Sequence, residues 1–134
     1  MTITQIVPVL RVRDVMASID WYHENFGFLA DPFPDLPPFE FAILRLGRHE
    51  IMLQRGEPIA ESPPKPYRWN VYIRLSEEPL RELHTKFASA GIVSRRLERM
   101  FYGLAEFEIS DPDGYVICFG QFLEDADNLP SPEA

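Results

Sequence analysis

Apolar positions along the chain alternate, then recur at helical spacing, then alternate again, and that order runs through the chain twice. Ile6 to Val12 is β-rich and leads into Asp14. Val15, Ile19, Tyr22 and Phe26 follow at i, i+4, i+7 and i+11, one apolar stripe on a helix. Gly27 stands where a left-handed C-terminal cap is usually glycine, so the helix is predicted to stop there. Asp31 to Pro38 carries four prolines in eight residues and reads as a loop. Phe39 to Leu46 and Glu50 to Gln54, turning at Gly47, read as a hairpin.

After a proline-rich connection, residues 56–68, a strand is predicted over Asn70 to Leu75. Ser76 and Pro79 announce a helix whose apolar face is Leu80, Leu83, Phe87 and Ala90, with Gly91 as its stop. Ile92 to Arg96, Ala105 to Ser110 and Tyr115 to Phe119 read as strands. The acidic tail, residues 123–134, has little to bury and is expected to be frayed or loosely packed. Phe41, Ile43, Ile51 and Leu53 fall opposite Phe107, Ile109, Ile117 and Phe119 at a constant offset of 66, and Gly27 and Gly91 are separated by 64. Two βαβββ units, about 5–55 and 69–122, account for both offsets within one domain, residues 1–122.

The 134 residues, 46% hydrophobic and 13% aromatic, suffice for one compact core. A net charge of -8 argues against a sequence-independent grip on nucleic acid, and no apolar run approaches the roughly 20 residues that span a bilayer. The start, Met1 to Gln5, lacks the pattern of a secretory signal, and the single Cys118 cannot form an internal disulfide. A reducing cytoplasm is the expected setting.

Two segments carry a family likeness. Val7-Pro8-Val9-Leu10-Arg11-Val12-Arg13-Asp14, then Ala17-Ser18, Trp21-Tyr22 and Phe26-Gly27-Phe28, resemble the opening of bleomycin-resistance-type proteins. Tyr102-Gly103 through Glu106-Phe107 to Asp111-Pro112-Asp113-Gly114-Tyr115 are similar to their closing hairpin, and Ile51-Met52-Leu53-Gln54 fits the last strand of the first repeat. The likeness is to the glyoxalase/bleomycin-resistance/extradiol-dioxygenase (vicinal-oxygen-chelate) superfamily. It implies an α+β fold of two βαβββ modules, with curved mixed sheets forming a shared cleft, and a homodimer.

Strand alternation then places Pro8, Leu10 and Val12, with Val71, Ile73 and Leu75, on the helix side. Val7, Val9, Arg11, Asn70, Tyr72 and Arg74 fall on the cleft side, as do Glu106, Glu108, Val116 and Cys118. Metal-dependent relatives put one ligand on the first and last strand of each module. The matching positions are Val7, Met52, Asn70 and Cys118, of which only cysteine is a competent ligand, so neither a metal nor another cofactor is expected. His23, His49 and His84 lack the spacing of a metal site and read as structural or solvated.

The candidate ligand-binding residues are Arg11, Asn70, Tyr72, Arg74, Trp69, Tyr102, Glu106, Glu108 and Cys118. Glu106 and Glu108 are expected to face Arg11 and Arg74, either as an ion-pair network or as a ligand-reading pair, and are the weak catalytic candidates. Trp69 and Tyr102 suit an aromatic or cationic ligand, whereas Phe33 and Phe101 fit a dimer contact or a cap on the core. The first reading is a metal-independent protein of bleomycin-resistance type that sequesters a small molecule, without nucleic-acid or membrane partners. A lyase, isomerase or dioxygenase of the same superfamily, and a regulatory module with a vestigial cleft, stay open beside it.

Overall fold

The computed structural model describes residues 1–77 and 79–133. The elements are β1 (Val9–Val12), α1 (Val15–Phe26), β2 (Leu29–Phe33), β3 (Phe41–Leu46), β4 (His49–Arg55), β5 (Val71–Arg74), α2 (Leu80–Ser89), β6 (Val93–Arg99), β7 (Ala105–Ser110) and β8 (Val116–Gln121). They form two four-stranded mixed sheets, ordered β1-β4-β3-β2 and β5-β8-β7-β6. In each, the first strand pairs parallel with the last and the other pairings are antiparallel. This is an α+β fold of two βαβββ modules. The chain divides into two compact units, Met1–Ile59 and the chain from Ala60 onward.

In the first unit the Asp14 carboxylate accepts the Ala17 N–H at 3.1 Å and so caps α1. Gly27, at φ 84°, closes the helix by donating its N–H to the His23 carbonyl. Leu10, Val12, Ala42, Leu44, Ile51 and Leu53 are buried, together with Val15 and Tyr22 of α1. Each large side chain buried this way contributes roughly 1.5–3 kcal/mol. Pro8, expected on the helix side, is exposed. The loop expected over Asp31 to Pro38 also needs correction, because its first three residues belong to β2. β2 is the outermost strand, where proline's missing N–H need not break a ladder on the open side.

In the second unit α2 begins after Pro79 without a side-chain cap of its own. Instead the Leu80 N–H donates to Oε1 of Gln121, on β8, at 2.9 Å. Leu80, Phe87, Phe107, Ile109, Ile117 and Phe119 make the core, with Phe107 and Phe119 stacked at 5.1 Å. β8 is buried along its whole length and β7 everywhere but its last residue, so both faces of these strands are covered. The tail makes contacts with the rest of the second unit at Arg99 and Arg81. The Arg99 N–H donates to the Pro130 carbonyl at 3.0 Å, and Arg81 pairs with Asp125. Among the described residues no helix is long and apolar enough to cross a membrane.

Candidate functional site

On β7, Phe107 and Ile109 point into the core while Glu106 and Glu108 point the other way, yet both glutamates are 0% exposed. Within the second unit their cationic partner is not Arg74. Arg11 belongs to the first unit, where its side chain runs past Gly56. Arg74 lies over the Tyr72 ring at 5.9 Å. The guanidinium that meets the carboxylates is Arg95 of β6. Its Nε donates to Glu108 at 2.5 Å, its Nη1 to Glu98 at 2.8 Å, and its Nη2 reaches Glu106 at 3.4 Å.

Neutral donors complete the cluster. The Tyr72 hydroxyl donates to Oε2 of Glu106 at 2.8 Å, and the Tyr102 hydroxyl donates to the same oxygen. Trp69 Nε1 donates to Glu108 at 3.0 Å, and the Tyr67 N–H bridges both Glu108 oxygens at 3.0 and 3.2 Å. Glu98 accepts from the Tyr67 hydroxyl at 2.8 Å and from Arg96 at 3.2 Å. Buried charge persists only when paired and hydrogen-bonded, and this density of donors is what permits three carboxylates here. Arg95 pairs with all three carboxylates, and Arg96 pairs with Glu98.

The titration behaviour follows the geometry. Burial opposes the charge on Arg95, but its hydrogen bonds and the charge of Glu108 hold it above its ordinary value. Burial likewise opposes ionisation of Glu98, and donation from Tyr67, Arg95 and Arg96 brings its carboxyl below the usual range. Burial and the Glu106 carboxylate both push the Tyr72 and Tyr102 phenols up, so they stay hydrogen-bond donors. Gly120 makes room for this arrangement, because a Cβ there would collide with the Tyr72 hydroxyl.

The positions that carry a divalent metal in metal-dependent relatives do not fit one here. Val7 has no donor atom, and Met52, paired with Val9 and Ile43, offers only a soft thioether. The Asn70 Oδ1 accepts the Val116 N–H at 2.9 Å. Burial, followed by the charge of Glu106, pushes the Cys118 thiol up, and Nη2 of Arg95 stands 3.8 Å from its sulfur. Among the described residues no three His, Cys, Asp or Glu side chains are grouped to hold a metal ion. His23 is tied to the Phe28 carbonyl, and His84 packs edge-on against Phe107.

The model of the Glyoxalase/Bleomycin resistance protein/Dioxygenase superfamily matches residues 2–119. The chain belongs to that superfamily. Among solved structures similar to this superfamily member, TioX from Micromonospora sp. ML1 has 24% identity and a TM-score of 0.70, over 90% of this chain and 99% of that one. A glyoxalase-related enzyme from Clostridium phytofermentans has 17% identity and a TM-score of 0.73, over 92% and 98%. A lactoylglutathione lyase from Agrobacterium tumefaciens has 20% identity and a TM-score of 0.65, over 90% and 95%. These likenesses establish the fold. No curated protein matches the chain.

Of the expected site residues, the second unit gathers Trp69, Tyr72, Tyr102, Glu106, Glu108 and Cys118 around Arg95, with Arg74 on the Tyr72 ring. Asn70 instead accepts the Val116 N–H, and Arg11 belongs to the first unit. Arg95, Glu98 and Tyr67 were not expected. Two register shifts in the β6–β7 pairing, between Val93 and Arg95 and between Arg95 and Glu98, bring Arg95 and Glu98 onto one face. Strict alternation would separate them.

Proposed function

We propose that this protein binds a small aromatic or cationic molecule against the Trp69, Tyr72 and Tyr102 rings of its second unit, without a metal and without turning it over. The observation that carries this reading is the fully buried Glu106 carboxylate, met on one oxygen by two phenols whose rings remain partly open to solvent. A carboxylate behind accessible rings favours cations. The chain's own arginines already use that chemistry: Arg74 sits on Tyr72 and Arg95 lies 4.3 Å from the Tyr67 ring centre. The spent or donorless metal-ligand positions support metal independence. Glu106 and Glu108 are each held by several donors, which favours a fixed binding role over acid–base turnover.

A thermal-shift screen of aromatic amines and heteroaromatic cations, with and without divalent ions, tests the reading. Hits should raise Tm equally in both conditions and weaken about tenfold in Glu106→Gln. Hits that require Mn, Fe, Ni or Zn would overturn it in favour of the metal-dependent enzymes of the superfamily. We also propose a homodimer in the cytoplasm. Exposed Val9, Leu29 and Phe33 on the first sheet and the free thiol of Cys118 support this. Sedimentation at micromolar concentration tests the dimer.

A further inference from the structure

Tyr67 belongs to neither helix nor strand, yet its ring covers Arg95 and both of its polar groups are spent on the buried carboxylates. Its backbone sits at φ 67°, a left-handed conformation uncommon for a bulky residue. The segment around it is stitched to itself through Arg68 and Glu61, and Glu61 and Pro64 lie against the turn at Gly114.

Without Tyr67, Glu98 keeps Arg95 and Arg96, and Glu108 keeps Arg95. Departure of Tyr67 would therefore leave no carboxylate without a donor, and the left-handed strain would be released. The contacts that Tyr67 makes are those of a replaceable group, and the residue is 43% exposed, open to exchange.

We propose that Tyr67 occupies a ligand subsite. The subsite takes a planar aromatic ring over the Arg95 guanidinium, with a hydroxyl at one end reaching Glu98 and an N–H at the other reaching Glu108. The ligand class is a hydroxylated aromatic amine or amide, which must displace the Tyr67 ring to bind. This deepens the binding reading and rests on it, because it places part of the ligand on the same carboxylate cluster.

The test uses N-acetyl-L-tyrosinamide, a free copy of the residue, on the full chain and on Tyr67→Gly, a substitution suited to φ 67°. Calorimetry should show at least about tenfold tighter binding to Tyr67→Gly than to the wild type, since the internal competitor is gone. N-acetyl-L-phenylalaninamide, lacking the hydroxyl, should bind the variant about tenfold more weakly than the tyrosine compound. N-acetyl-L-leucinamide should not bind it measurably.

In the wild type the tyrosinamide should saturably accelerate tryptic cleavage of the Arg68–Trp69 bond, because the displaced segment is released. This arm stands even where Tyr67→Gly fails to fold. Equal affinity in variant and wild type, absence of binding to the folded variant, or unchanged cleavage would overturn the subsite. If screen hits still weaken in Glu106→Gln while the tyrosinamide tests fail, the binding reading survives and the subsite alone falls. If nothing binds in either experiment, both fall.

Discussion

Arg95 touches all three glutamates of the cluster, and its removal is a severe test of it. Arg95→Met leaves Glu106 and Glu108 buried without their charged partner, and the expected cost is about 3–5 kcal/mol in urea denaturation. Gly120→Ala drives a methyl group into the Tyr72 hydroxyl and should cost about 1–3 kcal/mol. The same change in a Tyr72→Ala background should cost much less, which a double-mutant cycle will read out. Strand alternation on β7 was enough to put Glu106 and Glu108 on the face away from the core. Arg95 was invisible to that reasoning, since each register shift reverses the phase of β6 and alternation cannot reveal where one occurs.

At the scale of elements, both helices were legible because stripe, start and stop agreed in each. What was not legible was the cap of α2, whose first N–H is satisfied by Gln121, 41 residues away. β2 was hidden by its own proline, since a composition rule that excludes strands has no knowledge of which strand lies outermost. His84, on α2, carries a pH prediction. Burial beside Phe107 lowers its pKa below the ordinary 6.5, so the folded form prefers neutral imidazole. The associated stability is complete above the unfolded value and is lost as pH falls through the lower folded one. His84→Phe should therefore lose less stability than the wild type between pH 7 and pH 5, measured by urea denaturation at both values.

For the molecule as a whole, the repeat offset of 66 and the two family-like segments revealed the architecture, because a duplicated pattern is redundant and tolerates local misreadings. The cluster's composition had no such redundancy. Tyr67 comes from a proline-rich stretch with no periodicity to interpret, and only tertiary placement brings it to Arg95. The unsuited metal-ligand positions make a global prediction: adding Zn, Ni or Mn, or removing them with chelator, should leave Tm unchanged within about 1 °C, because a ligand that does not bind the native state cannot stabilise it.

The strand order β5-β8-β7-β6 has a consequence for synthesis. Among the described residues β5 has one partner in the sheet, and that partner is the last of the sheet's four strands in chain order. Until residues 116–121 emerge, β5 has no ladder and α2 lacks the Gln121 side chain that receives its first N–H. Growing chains thus hold the second unit open until its final strand inserts between β5 and β7, and the interval before insertion is when a nascent chain is most exposed to mispairing with its neighbours.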